Sequence, residues 1–288
     1  MGGIGDVLLT LPSIKKLSSL YNVDLLLRND NCFPIGEFIY DICKYNPYVN
    51  DFIVYEDFIS NNYQKKYDDV VLSASFYLDQ DAFFNRPKKR YEVVANQLGT
   101  NNVKSSDINI FLQKIEIERA KKILSRYKKH IIIQATRLRD NYTNEGKTIS
   151  VKTWENIFKA FPDITFIQLG SEDDNIEFNL DNVFSLIGKT TIRESIALIS
   201  CADFFILPDS YLNHAAGGLG KKGISFFGST SPLVYGYPSC KNIWINLGCN
   251  PCRIQDPNYM YDQKPCCMRY TGIPIDAQKF IELISEEF

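Results

Sequence analysis

The sequence has no hydrophobic run long enough to span a membrane and no strong excess of charge of either sign. No stretch approaches the roughly 20 apolar residues that a membrane-spanning helix requires. The formal net charge is −2, whereas proteins that carry nucleic acid usually have a clear basic excess. The start of the chain contains neither the basic nor the apolar region of a signal peptide. We therefore expect a cytoplasmic protein without a nucleic-acid partner.

Fixed-period repeats and low-complexity tracts are also missing, and short apolar runs alternate instead with amphipathic segments. This alternation is typical of βα units and of a parallel sheet. We predict strands at residues 23–27, 51–54, 69–73, 131–135, 165–169, 204–207, 223–227 and 243–246. We predict helices at residues 7–21, 92–98, 115–129, 151–160, 192–200, 214–219 and 276–287.

The length of 288 residues suits two compact lobes better than one small domain. The polar segment 101–109 separates two sets of βα units, so we place the first domain at residues 1–112 and the second at residues 113–288. Residues 2–6 have the character of a loop after a first strand, yet no strand precedes them. We therefore expect the first lobe to lack its first strand. The run Lys88-Lys89-Arg90 is interpreted as a solvated face, with an anion site as the alternative.

The glycine-rich start combines a loop with the beginning of a helix. Residues 2–12 read Gly-Gly-Ile-Gly-Asp-Val-Leu-Leu-Thr-Leu-Pro. Glycines let the backbone approach a ligand closely, and a helix N-terminus offers free N–H groups to an anion. On spacing alone Asp6 is best interpreted as a helix cap, because Asp is among the most frequent residues at that position.

Three further motifs follow one another in the second half of the chain. A Gly-Lys-Thr-Thr segment at residues 188–191 opens a predicted helix, Asp-Ser-Tyr-Leu-Asn-His occupies residues 209–214, and Phe-Gly-Ser-Thr-Ser-Pro occupies residues 227–232. Asp209 and Ser210 lie between an apolar strand and a helix, where hydroxyl and N–H groups converge on a place for a diphosphate. The Asp209 carboxylate would repel that anion, so it is expected to orient the loop or to bind a sugar hydroxyl.

These motifs, in this order, resemble those of the heptosyltransferases, glycosyltransferase family nine. The resemblance covers nearly the whole chain and is firmest at residues 2–12 and 188–232. It implies an α/β fold of the GT-B type, in which two Rossmann-like, doubly wound parallel-sheet lobes face a cleft. The first lobe would hold the acceptor and the base, and the second the nucleotide-sugar donor.

The resemblance also implies an activity. A heptose or similar sugar would move, with inversion, from ADP or a similar nucleotide diphosphate to a hydroxyl of a glycan, a lipopolysaccharide core or a protein. No cofactor would be required for this reaction, and the enzyme would work in the cytoplasm or at the inner face of the membrane. Two alternatives stay open: a non-catalytic nucleotide-sugar-binding or scaffold relative, and a sugar-nucleotide epimerase, which would need further carboxylates at the cleft.

Residue roles follow from the matched motif positions. Asp6 becomes the base that takes the proton of the acceptor hydroxyl, a task that suits a carboxylate. Lys147 would neutralise the charge that builds on the leaving diphosphate, and an acidic residue after a strand suits ribose hydroxyls. The expected donor-binding residues are Thr136, Lys147, Glu172, Asp209, Ser210 and His214. Tyr211 is a departure, because the family usually has Gly there, and a bulky side chain changes the approach to the phosphate.

Four of the eight cysteines lie within residues 249–267. A Cys-x-x-Cys pair with two further thiols is typical of a structural metal site in a reducing compartment, and many heptosyltransferases carry a similar segment. The predicted ligands of a structural zinc or iron are Cys249, Cys252, Cys266 and Cys267, with Cys240 as a substitute fourth ligand. The alternative is a set of thiols without metal.

Overall fold

The computed structural model describes residues 4–27, 35–61, 66–67, 88–135, 147–172, 176–245 and 273–288. The helices are α1 Ile4–Leu17, α2 Ile35–Cys43, α3 Tyr55–Ser60, α4 Arg90–Gln97, α5 Lys114–Leu124, α6 Val151–Ala160, α7 Ile192–Cys201, α8 Tyr211–Gly218, α9 Pro232–Tyr235 and α10 Ala277–Ser285. The strands are β1 Asp24–Leu27, β2 Asp51–Val54, β3 His130–Ile133, β4 Thr165–Gln168, β5 Val183–Ser185, β6 Phe204–Pro208, β7 Gly223–Phe227 and β8 Cys240–Trp244.

In the first lobe, whose described residues are 4–27, 35–61, 66–67 and 88–97, β1 pairs with β2 in parallel and helices pack against them. Its first element is α1, which begins at Ile4, three residues before the predicted start, and buries Leu8, Leu9 and Leu11. Asp6 therefore lies in the first turn of α1 and not at its cap. The predicted strand at residues 69–73 lies outside the described residues.

The described residues of the second lobe, from α5 onward, contain a six-stranded sheet in which every pair of neighbouring strands is parallel. The strand order is β5-β4-β3-β6-β7-β8. Renumbered from β3, this is the order 3-2-1-4-5-6 of a Rossmann-like sheet, in which the direction of winding reverses between β3 and β6. The predicted α/β class and five of the predicted strands in this lobe are confirmed, whereas the short edge strand β5 was missed.

The sheet of the second lobe separates two hydrophobic clusters because successive side chains of a strand point to opposite faces. On β3, Ile132 packs into one cluster, and Ile131 and Ile133 pack into the other. The first cluster also contains Leu8 and Leu11 of α1, so a continuous buried core joins the two lobes. The division of the chain at residue 112 stays a prediction. Within the described residues, no helix is both long and apolar enough to span a bilayer.

Arg193 of α7 is a buried residue whose hydrogen bonds tie the two lobes together. The Arg193 guanidinium donates to both carboxylate oxygens of Glu116, at 2.5 and 2.6 Å. It also donates to the backbone carbonyl of Phe111 at 2.8 Å and to that of Asp41, in α2, at 3.0 Å. Burial acts to raise the pKa of Glu116, but the hydrogen bonds and charge of Arg193 outweigh it and hold that pKa below its usual value.

We expect Glu116→Gln to lower the free energy of unfolding by roughly 2–3 kcal/mol, because it leaves the Arg193 charge buried without its counter-ion. Glu118→Gln on the same helix is the matched control. Among the described residues its carboxylate pairs only with Lys114, on the surface, so this substitution should change stability by about 0–1 kcal/mol. Urea unfolding measures both. A lowered pKa stabilises above the unfolded-state pKa, so the effect of Glu116→Gln should shrink as the pH falls through the folded-state pKa. Equal effects of the two substitutions would contradict the role of this pair.

Candidate active site

The strand order places a crevice between the carboxyl ends of β3 and β6, where ligands bind in open α/β sheets. Asp209 and Ser210 come directly after β6, and Gln134 comes directly after β3. The Ser210 hydroxyl donates a hydrogen bond of 2.7 Å to the Gln134 side-chain oxygen, across this crevice. The predicted donor residues of the Asp-Ser motif therefore lie where the topology of the sheet favours a ligand.

Asp209 is a buried carboxylate, with only 4% of its surface exposed. The Thr230 hydroxyl donates to its Oδ2 at 2.9 Å, and Lys147 Nζ lies 3.6 Å from the same oxygen. Burial alone would raise the pKa of Asp209, but the charge of Lys147 and the Thr230 hydrogen bond hold it below its usual value. Asp209 therefore stays ionised and fixes the residues around it.

His214, in the first turns of α8, is also buried, at 5% exposure. Its Nε2 lies 3.7 Å from Asp209 Oδ1, and its Nδ1 lies 2.8 Å from the Tyr237 hydroxyl oxygen. Burial lowers the pKa of His214, and this effect outweighs the charges of Asp209 and Asp6, which act to raise it. The imidazole is therefore neutral at pH 7.

The start of α1 brings the first lobe against this cluster. A Cβ atom on Gly5 would lie 2.9 Å from His214 Cδ2 and 3.9 Å from the Cα of Tyr211. Only glycine permits so close an approach without displacing the buried imidazole. Asp6 follows Gly5 and is close enough for its charge to act on the pKa of His214. The structure thus brings Asp6, Lys147, Asp209, Ser210 and His214 into one region.

Glu172 lies on the neighbouring part of the same sheet edge, after β4. Its side chain covers Gly188, whose φ is +66°, and a Cβ at that glycine would lie 2.4 Å from Glu172 Cγ. The Gly188 N–H donates to the Gly170 carbonyl at 3.0 Å, which joins the two loops. Glu172 is exposed, and its role in donor binding stays a prediction.

Several predicted residues lie outside the described part of the chain. These are Thr136, Cys249, Cys252, Cys266 and Cys267. Cys240 is described and is buried at β8, where burial raises the pKa of its thiol. Among the described residues, no group of three or more His, Cys, Asp or Glu side chains is arranged to hold a metal ion. The metal site stays a prediction.

The interpretation of the basic run as a solvated face was wrong for two of its three residues. Arg90 is only 1% exposed, and its charge acts on the pKa of His214. Lys89 Nζ donates to the carbonyls of Pro232 and Gly236 in the second lobe, at 2.9 and 2.8 Å. The sequence gives no periodic signal for this burial, because it results from packing between the two lobes.

Two further residues of the site had no role assigned from the sequence. Thr230 belongs to the Phe-Gly-Ser-Thr motif, so this motif was a signal that could have placed Thr230 at the site beside Asp209. Tyr237 lies outside every motif, and only the three-dimensional structure shows its hydroxyl beside His214.

The chain is similar to known glycosyltransferases in sequence and in fold. A family model described as Glycosyltransferase family 9 (heptosyltransferase) matches residues 172–260, which include Asp209, Ser210, His214 and Thr230. No curated protein sequence matches the chain. A glycosyltransferase of family 9 from Veillonella parvula DSM 2008 has a TM-score of 0.70 at 13% identity, with 99% of this chain and 94% of that chain covered.

Two Escherichia coli structures are also similar. ADP-heptose lps heptosyltransferase II has a TM-score of 0.68 at 15% identity, with 99% of this chain and 96% of that chain covered. The iron-containing dodecameric glycosyltransferase TibC gives 0.63 at 14% identity, with 99% of this chain and 73% of that chain covered. These structural similarities confirm the predicted two-lobed fold class. Together with the family match, they confirm the predicted resemblance and the predicted enzyme class.

We expect Asp209→Asn to lower the free energy of unfolding by about 1–3 kcal/mol, because Lys147 and Thr230 lose a charged partner. The matched control is Asp163→Asn, in the exposed turn just before β4, which should change stability by no more than about 0.5 kcal/mol. Urea unfolding at pH 7 measures both. Because the pKa of Asp209 is lowered, its contribution is present at neutral pH and is lost as the pH falls through that lowered value. A loss no larger than that of the control would show that the cluster does not depend on this charge.

Proposed function

Because the chain carries a family 9 glycosyltransferase domain on a heptosyltransferase-like fold, we propose that it transfers a sugar from a nucleotide diphosphate to a hydroxyl acceptor with inversion. The observation that carries the proposal is the meeting of Asp6, from the first lobe, with the Asp209 cluster of the second. A base from one lobe and anion-binding groups from the other are what a direct displacement at an anomeric carbon requires.

In this reaction Asp6 removes the proton of the acceptor hydroxyl as that oxygen attacks the anomeric carbon. Lys147, held by Asp209 at 3.6 Å, faces the leaving diphosphate and stabilises its growing negative charge. Ser210 and Thr136 bind phosphate oxygens, and Glu172 binds the ribose hydroxyls at the adjacent strand end. Asp209 is already held by Lys147 and Thr230, so we assign it to positioning and not to proton transfer.

The proposed donor is ADP-heptose or a closely related nucleotide sugar. Two similar structures support this choice: one is named an ADP-heptose lps heptosyltransferase, and TibC was solved with ADP-D-beta-D-heptose. The proposed acceptor is a hydroxyl of a lipopolysaccharide core, another glycan or a protein, reached from the first lobe. No metal takes part in the proposed transfer, and a metal held by the cysteines of residues 249–267 would be structural.

Incubation of the protein with labelled ADP-heptose and a panel of such acceptors tests the proposal. We expect transfer of the label to an acceptor and release of ADP. Binding of ADP without transfer to any acceptor would favour a non-catalytic relative. Conversion of the sugar without release of ADP would favour an epimerase, and either result would contradict the proposal.

We expect Asp6→Asn to lower the rate of transfer by about 10²–10⁴, since loss of a general base typically has an effect of this size. The affinity for ADP, measured by calorimetry, should change little, because Asp6 acts on the acceptor. Asn keeps the size of the side chain, so the close contact of α1 with His214 is preserved. A variant with near-normal turnover would return Asp6 to a structural role at the start of α1.

A further inference from the structure

Tyr237 lies under the candidate active site without belonging to any motif of the sequence. Its side chain is only 2% exposed, and its hydroxyl oxygen is 2.8 Å from Nδ1 of His214. The ring lies directly over α8, where a Cβ on Gly217 would be 2.1 Å from its Cγ. On its other side it stacks with Tyr91 of the first lobe, at 6.3 Å between ring centroids and 21° between ring planes.

The direction of the hydrogen bond between Tyr237 and His214 follows from what the phenol can do. Within the described part of the chain, His214 is the only hydrogen-bond partner of this hydroxyl. A buried hydroxyl group has to donate its proton to an acceptor to avoid a desolvation penalty. The usual pKa of a tyrosine phenol is about 10, so the phenol keeps its proton at neutral pH. Tyr237 therefore donates, and Nδ1 of His214 accepts.

The surroundings of the other ring nitrogen lead to the same assignment. A neutral imidazole carries one proton, so an accepting Nδ1 requires the proton on Nε2. Nε2 lies 3.7 Å from the Asp209 carboxylate, and the Asp6 carboxylate also acts on this ring. An N–H group facing negative charge is favourable, whereas a lone pair in that position would be repelled. At 3.7 Å the Nε2 proton is too far from Asp209 to form a hydrogen bond with it.

We propose that Tyr237 is a positioning residue that holds neutral His214 in its Nε2–H tautomer, so that an N–H donor faces the cleft beside Asp6. The assignment of a ligand to this N–H group, an oxygen of the nucleotide-sugar diphosphate, rests on the proposed function. The assignment of the tautomer does not. With the opposite tautomer, the Nε2 lone pair would repel phosphate oxygens.

Residues of the first lobe hold Tyr237 in place. Lys89 donates to the carbonyl of Pro232, the first residue of α9, and to that of Gly236, which follows α9. Tyr91 stacks on the Tyr237 ring. Asn242 of β8 donates to the backbone carbonyl of Tyr237 at 3.2 Å. The orientation of His214 in the second lobe thus depends on contacts made by Lys89 and Tyr91, at the start of α4 in the first lobe.

Nitrogen-15 NMR of the full chain labelled at histidine tests the proposal without any ligand. The chain has only two histidines, so the spectrum of His214→Asn assigns the remaining signals to His130. In the unsubstituted protein at neutral pH we expect the signals of His214 to show a protonated Nε2 and an unprotonated Nδ1. In Tyr237→Phe, which removes only the hydroxyl, we expect this pattern to be lost to a mixture of tautomers.

Tyr91→Phe is the matched control, because it removes a neighbouring phenol hydroxyl and leaves the hydrogen bond to His214 intact. We expect it to keep the Nε2–H pattern. A proton on Nδ1 in the unsubstituted protein, or an unchanged pattern in Tyr237→Phe, would overturn the proposal.

A calorimetric titration with ADP tests the ligand of the Nε2–H group separately from the tautomer. Weaker ADP binding in Tyr237→Phe, but not in Tyr91→Phe, would support the role of this N–H group as a hydrogen-bond donor to the diphosphate. The expected NMR pattern together with no ADP binding by any form would count against the proposed function and leave the tautomer assignment standing.

Discussion

The arrangement of the site depends on one buried negative charge, the Asp209 carboxylate at the carboxyl end of β6. A buried charge is tolerated only when it is paired and hydrogen-bonded. Lys147 supplies the counter-charge, Thr230 supplies a hydroxyl, and the ring of His214 lies within 3.7 Å. These three residues come from separate segments of the chain. The need to balance the buried negative charge of Asp209 therefore fixes the positions of Lys147, Thr230 and His214 at the crevice between β3 and β6.

The first lobe completes this arrangement by close contact. Gly5 lets the start of α1 approach the His214 ring, and the leucines of α1 continue the buried cluster of the second lobe. Arg193 of the second lobe pairs with Glu116 of the same lobe and donates to the carbonyl of Asp41, at the end of α2 in the first lobe. The shared core and the hydrogen bond from Arg193 to α2 limit how far the lobes move apart, so Asp6 keeps a defined position relative to the Asp209 cluster.

Much of this architecture could be predicted from the sequence because its signals are local. An apolar run followed by Asp-Ser predicted β6 and a candidate site at its end, and the structure places the His214 ring 3.7 Å from Asp209 there. Arg90 and Tyr237 could not be predicted in the same way, since their burial results from contacts between distant segments. The start of α1 was placed too late because its glycines indicated a loop, whereas packing against α8 favours the helix.

The proposed function requires that the crevice between β3 and β6 binds the donor diphosphate opposite Asp6. A crystal structure of the complex with ADP tests this requirement. We expect phosphate oxygens at the carboxyl ends of β3 and β6, within about 3 Å of Lys147 Nζ or His214 Nε2, and the ribose on the side of Glu172. A nucleotide bound elsewhere on the protein, with Lys147 still held by Asp209 and remote from the phosphates, would contradict it.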